Sequence, residues 1–180
     1  MKIKPLGFRD VIGVTRLYIA LQEDERILFH PIPFNYFIVF LIFMYFALFN
    51  KIYKIIKLMG RFTVLSFICY KNGTIIGLVF ISNIKFIDGY KVAGNFGILV
   101  KREFRGQGVG KNLVKKVIKL CKAEEIQKIY LTIMANNKTA IDFYKKLGFE
   151  IKERHEKREK WKGRYYPDYT MILDVKNYKS

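Results

Sequence analysis

A glycine-rich string, Arg105-Gly106-Gln107-Gly108-Val109-Gly110, lies between an apolar run that ends at Val100 and a lysine-rich segment. A glycine-rich turn from a strand into a helix exposes backbone N–H groups at the positive end of the helix dipole, where phosphate oxygens bind. A Walker loop would need glycine at position 105, and a dinucleotide fingerprint would need glycine at position 111, so the spacing excludes both. The string therefore predicts a pyrophosphate site.

A second string, Asn137-Lys138-Thr139-Ala140-Ile141-Asp142-Phe143-Tyr144-Lys145-Lys146-Leu147-Gly148-Phe149, begins with a helix-capping asparagine and contains a glycine suited to a helix C-terminus. The two strings resemble the R-x-x-G-x-G and N-x-x-A-x-x-F-Y-x-x-x-G-F segments of the GNAT (Gcn5-related N-acetyltransferase) family, in the same order. The resemblance covers roughly residues 62–175. It implies a mixed α/β fold with a central, mostly antiparallel sheet of about seven strands, flanked by about four helices.

The resemblance also implies a reaction, the direct transfer of an acetyl group from acetyl-CoA to a primary amine in a ternary complex. Tyr144 matches the tyrosine that protonates the departing thiolate. Amides of the fourth strand polarise the thioester carbonyl, and the glycine loop holds the pyrophosphate. The residues implied to bind acetyl-CoA are Leu99, Val100, Arg105, Gly106, Gln107, Gly108, Val109, Gly110, Lys111 and Asn137.

Four residues are candidates for binding the acceptor amine. The segment Arg164-Tyr165-Tyr166-Pro167-Asp168, followed by Tyr169-Thr170-Met171, resembles the C-terminal strand pair of ribosomal-protein and N-terminal peptide acetyltransferases, where tyrosines line the acceptor groove. Tyr165 and Tyr166 are therefore candidates, although plain packing would explain them equally well. His30 and Phe34 fall in the part of the chain that is variable in the family and binds the acceptor. The acceptor is accordingly a protein or peptide amine, or alternatively a small molecule such as a polyamine, an amino sugar or an aminoglycoside.

The proton acceptor is the least defined part of the site. The predicted fourth strand, Val92 to Val100, offers Asn95 where many relatives place a carboxylate. Deprotonating a lysine of pKa about 10.4 at pH 7 costs about 4.6 kcal/mol, against about 1.1 kcal/mol for an α-amine of pKa near 7.8. A site without a strong base therefore favours a weakly basic amine. Other candidate bases are Glu23, Asp24, Glu25, His30 and Glu103.

The elements that must position these residues follow from apolar periodicity and turn signals. The second half predicts an amphipathic helix from Gly108 to Cys121, a strand at Lys128–Met134, a short helix from Asn137 to Leu147, and strands at Phe149–Lys157 and Tyr169–Val175 joined by a loop. The first half predicts a strand at Lys2–Phe8, a helix at Val11–Phe29 capped by Asp10, and a meander turning at Asn72-Gly73 and Asp88-Gly89.

The segment Tyr36–Phe49 carries no charge, which leaves three interpretations open: a core or groove-lining helix, a membrane-surface helix, or a membrane span. The segment is short for a span, which needs about 20 apolar residues. Lys51, Lys54 and Lys57 follow at helical spacing and suit either a solvated face or an anionic lipid surface.

Composition sets the outer bounds. The 180 residues are 51% apolar and 27% charged, which excludes a disordered chain and a multi-span membrane protein. One domain is expected over residues 1–180, with a variable acceptor-binding part at 1–60 that includes an aromatic helix at 34–58, and an acyl-CoA-binding core at 61–176. The net charge of +18 favours polyanions. A non-catalytic module that holds nucleic acid or an anionic membrane is therefore the alternative to an enzyme, although no nucleic-acid-binding motif is visible.

Cysteine and histidine usage predicts neither a disulfide framework nor a metal site. Cys69 and Cys121 lack ligand spacing, and Cys121 falls on the apolar face of its helix, which indicates packing rather than a nucleophile. His30 and His155 are too few for a histidine-based metal centre. Without a signal-peptide pattern near Met1, the sequence predicts a cytoplasmic protein.

Overall fold

A seven-stranded sheet runs through the part of the chain that the computed structural model describes, residues 1–26, 34–58, 64–161 and 163–178. The strands are β1 (Lys2–Pro5), β2 (Val64–Lys71), β3 (Thr74–Ile87), β4 (Tyr90–Val100), β5 (Lys128–Met134), β6 (Glu150–Trp161) and β7 (Arg164–Asp174), in the spatial order β1-β2-β3-β4-β5-β7-β6. The helices are α1 (Val11–Ile19), α2 (Glu23–Arg26), α3 (Tyr36–Leu58), α4 (Val109–Ala123) and α5 (Lys138–Lys146), with 3₁₀ turns at Phe8–Asp10 and Arg102–Phe104. The predicted mixed, mostly antiparallel sheet is confirmed.

The sheet opens between β4 and β5, its one parallel pair within the described residues. The β4–β5 ladder consists of Val92 opposite Lys128 and Ala93 opposite Ile129. Beyond Ala93, β4 stays paired with β3 as far as Val100, while β5 stays paired with β7 as far as Met134. The two strands therefore diverge toward their C-terminal ends, and the loops that lead into α4 and α5 lie at the mouth of this gap.

Two hydrophobic clusters cover opposite faces of the sheet, because successive strand residues point to opposite sides. One cluster joins α4 and α5 to the sheet, with Leu113, Val117 and Ile141 among its buried residues. The other joins α1 and α3, with Val14 and Phe43 among its members.

Local turn signals gave correct predictions in the meander. Asn72 and Gly73 have φ values of 49° and 76°, and Asp88 and Gly89 have the same pair of values. Positive φ at both central residues is what a type I′ hairpin requires. Both predicted turns, and the strands on either side of them, are confirmed.

The predicted helix Val11–Phe29 is wrong in extent. α1 ends at Ile19, and the backbone N–H of Ala20 donates to Arg16 O at 3.0 Å before the one-turn α2 begins. Phe29 lies outside the described residues. Apolar residues in this stretch are irregularly spaced, so a single continuous helix would not bury them on one face.

Two smaller predictions near the N-terminus also need correction. β1 stops at Pro5, short of Phe8. Asp10 does not cap α1 with its side chain, because it ends the preceding 3₁₀ turn and its carboxylate accepts the Gly7 N–H at 3.0 Å instead.

The predicted loop between the last two strands is wrong, because β6 and β7 form a hairpin that continues to Trp161 opposite Arg164. Tyr165 pairs with Lys160, and Tyr166 with Glu159, so both tyrosines are strand residues. Cross-strand pairing determines these extended conformations, and it outweighs the polar, loop-like composition of the segment.

α3 contains the whole uncharged segment and continues to Leu58. Its inner face is buried through Val39, Phe43, Phe46 and Ala47. Asn50 fixes it to the sheet, since its Nδ2 donates to Leu6 O at 2.8 Å and to Ser66 O at 2.9 Å. No helix among the described residues has the length and apolar character needed to cross a bilayer.

Candidate active site

The glycine loop adopts a backbone that only glycine takes up without strain. Gly106 has φ +74°, and Gly108, the residue before α4, has φ +78°. A methyl group at either position would meet no other atom within 4 Å. These glycines are therefore required by backbone conformation, and each has open space beside it next to the start of α4, whose first-turn amides would bind an anion.

Gly110 has a different reason for being glycine. A Cβ at this position would lie 3.2 Å from Cζ of Phe143 on α5. The missing side chain thus allows α5 to approach the start of α4. The sequence motif predicts a cofactor role for Gly110, and the structure adds this packing role.

Arg105 is held on two sides. Its Nε donates to Val100 O at 3.0 Å, and its Nη1 lies 2.6 Å from Oε1 of Glu25. Glu25 is buried and also accepts the Gln22 N–H at 3.2 Å through Oε2. The Gln22 side chain in turn contacts Arg102. An ion pair and a hydrogen bond therefore join residues 22–25 to the segment from Arg102 to Arg105.

The side chains of Gln107 and Lys111 are exposed, whereas the predicted cofactor residue Val109 is buried in the hydrophobic cluster beneath α4. Gln107 Nε2 donates to Glu103 O at 2.8 Å, which braces the loop, and Lys111 projects from the first turn of α4. The Lys101 ammonium donates a hydrogen bond to the Glu103 carboxylate across an ion pair of 2.6 Å, and this lowers the pKa of the Glu103 carboxyl. Glu103 is therefore a weak candidate for the base, because a carboxylate of lowered pKa accepts a proton less readily.

The amides at the end of β4 face alternate directions. The Lys101 N–H donates to Ile76 O at 2.9 Å, so in this antiparallel pair the Leu99 N–H also faces β3. The Val100 and Ile98 N–H groups then face the opposite side, toward the gap. Of the two predicted residues, Val100 thus presents its amide to the gap, whereas Leu99 presents its amide to the sheet.

Tyr144 is buried beside the gap. Its ring packs on Phe96 of β4 at 6.0 Å between centroids, and on Phe143 and Phe149 at 5.3 Å each. Burial raises the pKa of its hydroxyl above the ordinary value of 10.0, which keeps the phenol protonated at neutral pH. Asn137 begins the same helix, and its Oδ1 accepts the Ala140 N–H at 3.2 Å, as predicted for a cap.

A cleft of about 730 Å³ separates α1 from the tip of the β2–β3 hairpin and the end of β4. It brings together predicted site residues from distant parts of the sequence, namely Leu99, Val100, Arg105, Glu25 and Glu103. Tyr144 is not among its lining residues, because α5 packs against the other face of the sheet.

The predicted acceptor residues are spread over two places. Phe34 is half-buried and stacks on Tyr18 at 4.8 Å, with the Arg26 guanidinium 5.1 Å from its ring. Tyr165 is exposed and Tyr166 half-buried near the tip of the β6–β7 hairpin. This tip lies at the end of the sheet where β4 and β5 finish, as does the glycine loop. His30, and the side chains of Glu23 and Asp24, lie outside the described residues.

Two buried carboxylates were missed as site candidates. Asp10 lines the cleft and contacts Lys4 at 3.1 Å as well as the Tyr70 hydroxyl. Asp168 is fully buried in β7 beside Met134, the last residue of β5. In the sequence, Asp10 fits a helix cap and Asp168 falls in a predicted loop, so neither carried a signal of burial.

A split sheet with a glycine loop and a helix N-terminus at its mouth defines a class of fold with a binding site for a diphosphate. The Acetyltransferase (GNAT) family matches residues 42–149, more than half of the chain. The chain belongs to this family. Acetyl-CoA is the co-substrate of the family, and the open space beside Gly106 and Gly108 leaves room for its diphosphate.

Curated relatives align over part of their length. An uncharacterised N-acetyltransferase of Methanocaldococcus jannaschii is 40% identical over 92 residues, covering 48% of this chain and 39% of that protein. An L-amino acid N-acetyltransferase of Escherichia coli is 35% identical over 78 residues, covering 43% of this chain and 48% of that protein. The chain thus spans less than half the length of these two relatives.

Solved structures share the fold over nearly the whole chain. The yncA protein of Salmonella typhimurium, solved with its cofactor acetyl-CoA, has a TM-score of 0.72 at 17% identity, covering 100% of this chain and 96% of that chain. A ribosomal-protein-S5-alanine acetyltransferase from Vibrio fischeri has a TM-score of 0.74 at 16% identity, covering 99% and 94%.

Proposed function

We propose that the protein is an acetyl-CoA-dependent N-acetyltransferase whose acceptor is a weakly basic amine, foremost the α-amine of a protein or peptide. The observation that carries this proposal is the gap between β4 and β5, with the glycine loop at its mouth and Tyr144 buried beside it. Family membership supports the reaction type, and the residues of the gap supply its parts.

The first-turn amides of α4 would hold the diphosphate, and acetyl-CoA would supply an acetyl group as a thioester. The Val100 N–H faces the gap, where it can donate to the carbonyl oxygen and stabilise the charge that develops there. The attacking amine nitrogen forms the new C–N bond as the C–S bond breaks. Tyr144 gives its proton to the departing sulfur, and the amine loses a proton to solvent or to a base.

The proposed role of Tyr144 is tested by Tyr144→Phe, which removes the hydroxyl and keeps the ring. We expect acetyl-CoA affinity to stay within about twofold and turnover to fall by about 10² to 10³. Tyr178→Phe is the matched control, because Tyr178 packs against the same hydrophobic cluster away from the gap. Equal turnover in Tyr144→Phe and the native protein would remove Tyr144 from the acid role.

The choice of an α-amine rests on β4, which offers no carboxylate between Tyr90 and Val100. The difference of about 3.5 kcal/mol between deprotonating a lysine and an α-amine at pH 7 predicts a rate ratio of a few hundred. Peptides with one free α-amine, or with one free lysine and a blocked N-terminus, would measure this ratio. It should shrink toward unity as the pH approaches 10. Equal rates at pH 7 would instead reveal a strong base.

A small-molecule acceptor is the second candidate, favoured by the similarity to an L-amino acid N-acetyltransferase. Free amino acids, polyamines, amino sugars and aminoglycosides belong in the same panel as the peptides. If the protein binds acetyl-CoA and acetylates none of these amines, the alternative of a non-catalytic binding module gains support.

A further inference from the structure

The outer side of α3 carries a continuous apolar stripe, which we call the α3 patch: Phe37, Leu41, Tyr45 and Leu48. Their side chains are 67%, 50%, 43% and 42% exposed. Residues three and four apart share one face of a helix, so these four form a single strip. The buried residues Val39, Phe43, Phe46 and Ala47 lie on the opposite side of the same helix.

This arrangement is unusual for a helix of a globular protein, which normally shows polar residues on its solvent side. α3 is apolar on both sides from Tyr36 to Phe49, so burying its inner face leaves a second apolar face in solvent. Contiguous exposed apolar surface of this kind marks a site of interaction. None of the four patch residues lines the cleft, and Tyr144 packs on Phe96 of β4 rather than on the patch.

Positive charge lies beside the patch. α1 packs antiparallel to α3 on the same face of the sheet, as the contacts of Tyr18 with Phe43 and of Phe8 with the Lys51 ammonium show. The outward sides of the two helices therefore face the same way. The exposed Lys51 follows the stripe on α3, and the exposed Ile12 and Arg16 lie on α1, where Arg16 also lines the cleft.

Charge also decides which partner this surface suits. The chain carries a net charge of +18, so two copies repel each other, whereas an anionic surface attracts the protein. Apolar side chains on one face of a helix, with cations at the margin, are typical of helices that lie in the interface of an anionic bilayer. We infer that the α3 patch docks the protein on the surface of an anionic lipid membrane, with α3 parallel to the bilayer.

Vesicle flotation tests this inference with the full chain. One set of vesicles contains phosphatidylcholine alone, and the other contains equal parts of phosphatidylcholine and phosphatidylglycerol. We expect flotation with the second set only. Phe37→Ser and Leu41→Ser should each weaken binding by about tenfold or more, because each removes a large side chain from the bilayer contact. Lys51→Glu should weaken vesicle binding more at low salt than at high salt, because salt screens the attraction between the lysine and the anionic lipids.

The chain offers a matched control in Phe86, which is 75% exposed on β3, outside the patch. Phe86→Ser should leave flotation unchanged, and all variants should keep acetyl-CoA affinity, which separates this inference from the proposed activity. No flotation with the anionic vesicles, equal flotation with both sets, or equal effects of Phe86→Ser and Phe37→Ser would overturn the inference. A dimer in light scattering that Leu41→Ser converts to a monomer would also overturn it, by showing that a second copy covers the patch.

Discussion

Gly108→Ala separates the conformational role of the glycine loop from its binding role. Gly108 has φ +78°, and an added methyl group would meet nothing within 4 Å, so the substitution introduces backbone strain without a clash. A left-handed conformation costs a non-glycine residue about 1–2 kcal/mol, part of which is offset because alanine restricts the unfolded chain by about 0.4–1 kcal/mol. The expected loss of stability is about 1 kcal/mol. For a domain of this size, that lowers Tm by about 2–4 °C.

Gly89 provides the matched control, since it has φ +76° at the tip of the β3–β4 hairpin, has the same open surroundings and does not line the cleft. Gly89→Ala should lower Tm by a similar amount. Gly108→Ala should in addition weaken coenzyme A binding by about tenfold to a hundredfold, because the methyl group would prevent a hydrogen bond from an amide to the charged diphosphate, and such a bond contributes about 1.5–3 kcal/mol. Gly89→Ala should leave that affinity unchanged.

Calorimetric titration with coenzyme A and thermal unfolding of both variants provide the readout. If Gly108→Ala is destabilised like Gly89→Ala and still binds coenzyme A like the native protein, the loop is only a turn. The placement of the diphosphate over Gly106 and Gly108 would then be wrong.

Three further predictions concern acid stability, coenzyme A binding and cysteine reactivity. Burial alone would raise the pKa of Asp10, but hydrogen bonds, foremost that from Tyr70, lower this pKa below 3.8. The ionised carboxylate therefore stabilises the fold above pH 3.8, and this contribution is lost as the pH falls through the folded-state pKa. Acid unfolding followed by circular dichroism should show a smaller loss of stability with falling pH in Asp10→Asn than in the native protein. Glu25→Gln removes the negative charge that faces Arg105, so the guanidinium becomes more available to the diphosphate. Coenzyme A binding should tighten about two- to fivefold, as expected for a partly exposed ion pair. Weaker binding in titration calorimetry would instead show that Glu25 positions the guanidinium. Burial raises the pKa of Cys121 to about 12 and also raises that of Cys69, so iodoacetamide at pH 8 should label neither thiol until the protein is unfolded; rapid labelling of the folded chain would contradict their burial.

Features encoded within a few residues were predictable. The hairpin at Asn72-Gly73, the strand Lys128–Met134 and the cap at Asn137 all follow from local conformational preference. The end of α1 and the length of the β6–β7 hairpin were predicted wrongly, because pairing and packing with distant segments determine them. Since register is a property of two strands, the composition of β6 alone did not show where its pairing ends.

The candidate site divides in the same way. The glycine loop is a contiguous motif, so its conformation could be predicted from glycine spacing. Two contacts of the site join residues that are far apart in sequence: the ion pair of Arg105 with Glu25 and the contact of Phe143 with Gly110. The residues adjacent to them in the sequence do not predict either contact. The buried carboxylate of Asp168 belongs to the same group, because its burial depends on the sheet around it.

The contact between Arg105 and Glu25 connects the glycine loop with the part of the chain, residues 1–60, in which the acceptor is predicted to bind. By thermodynamic linkage, a donor that alters this contact changes the affinity for the acceptor by the same factor by which the acceptor changes the affinity for the donor. If the acceptor binds there, this single ion pair can couple the affinities for the two substrates without any movement of a domain.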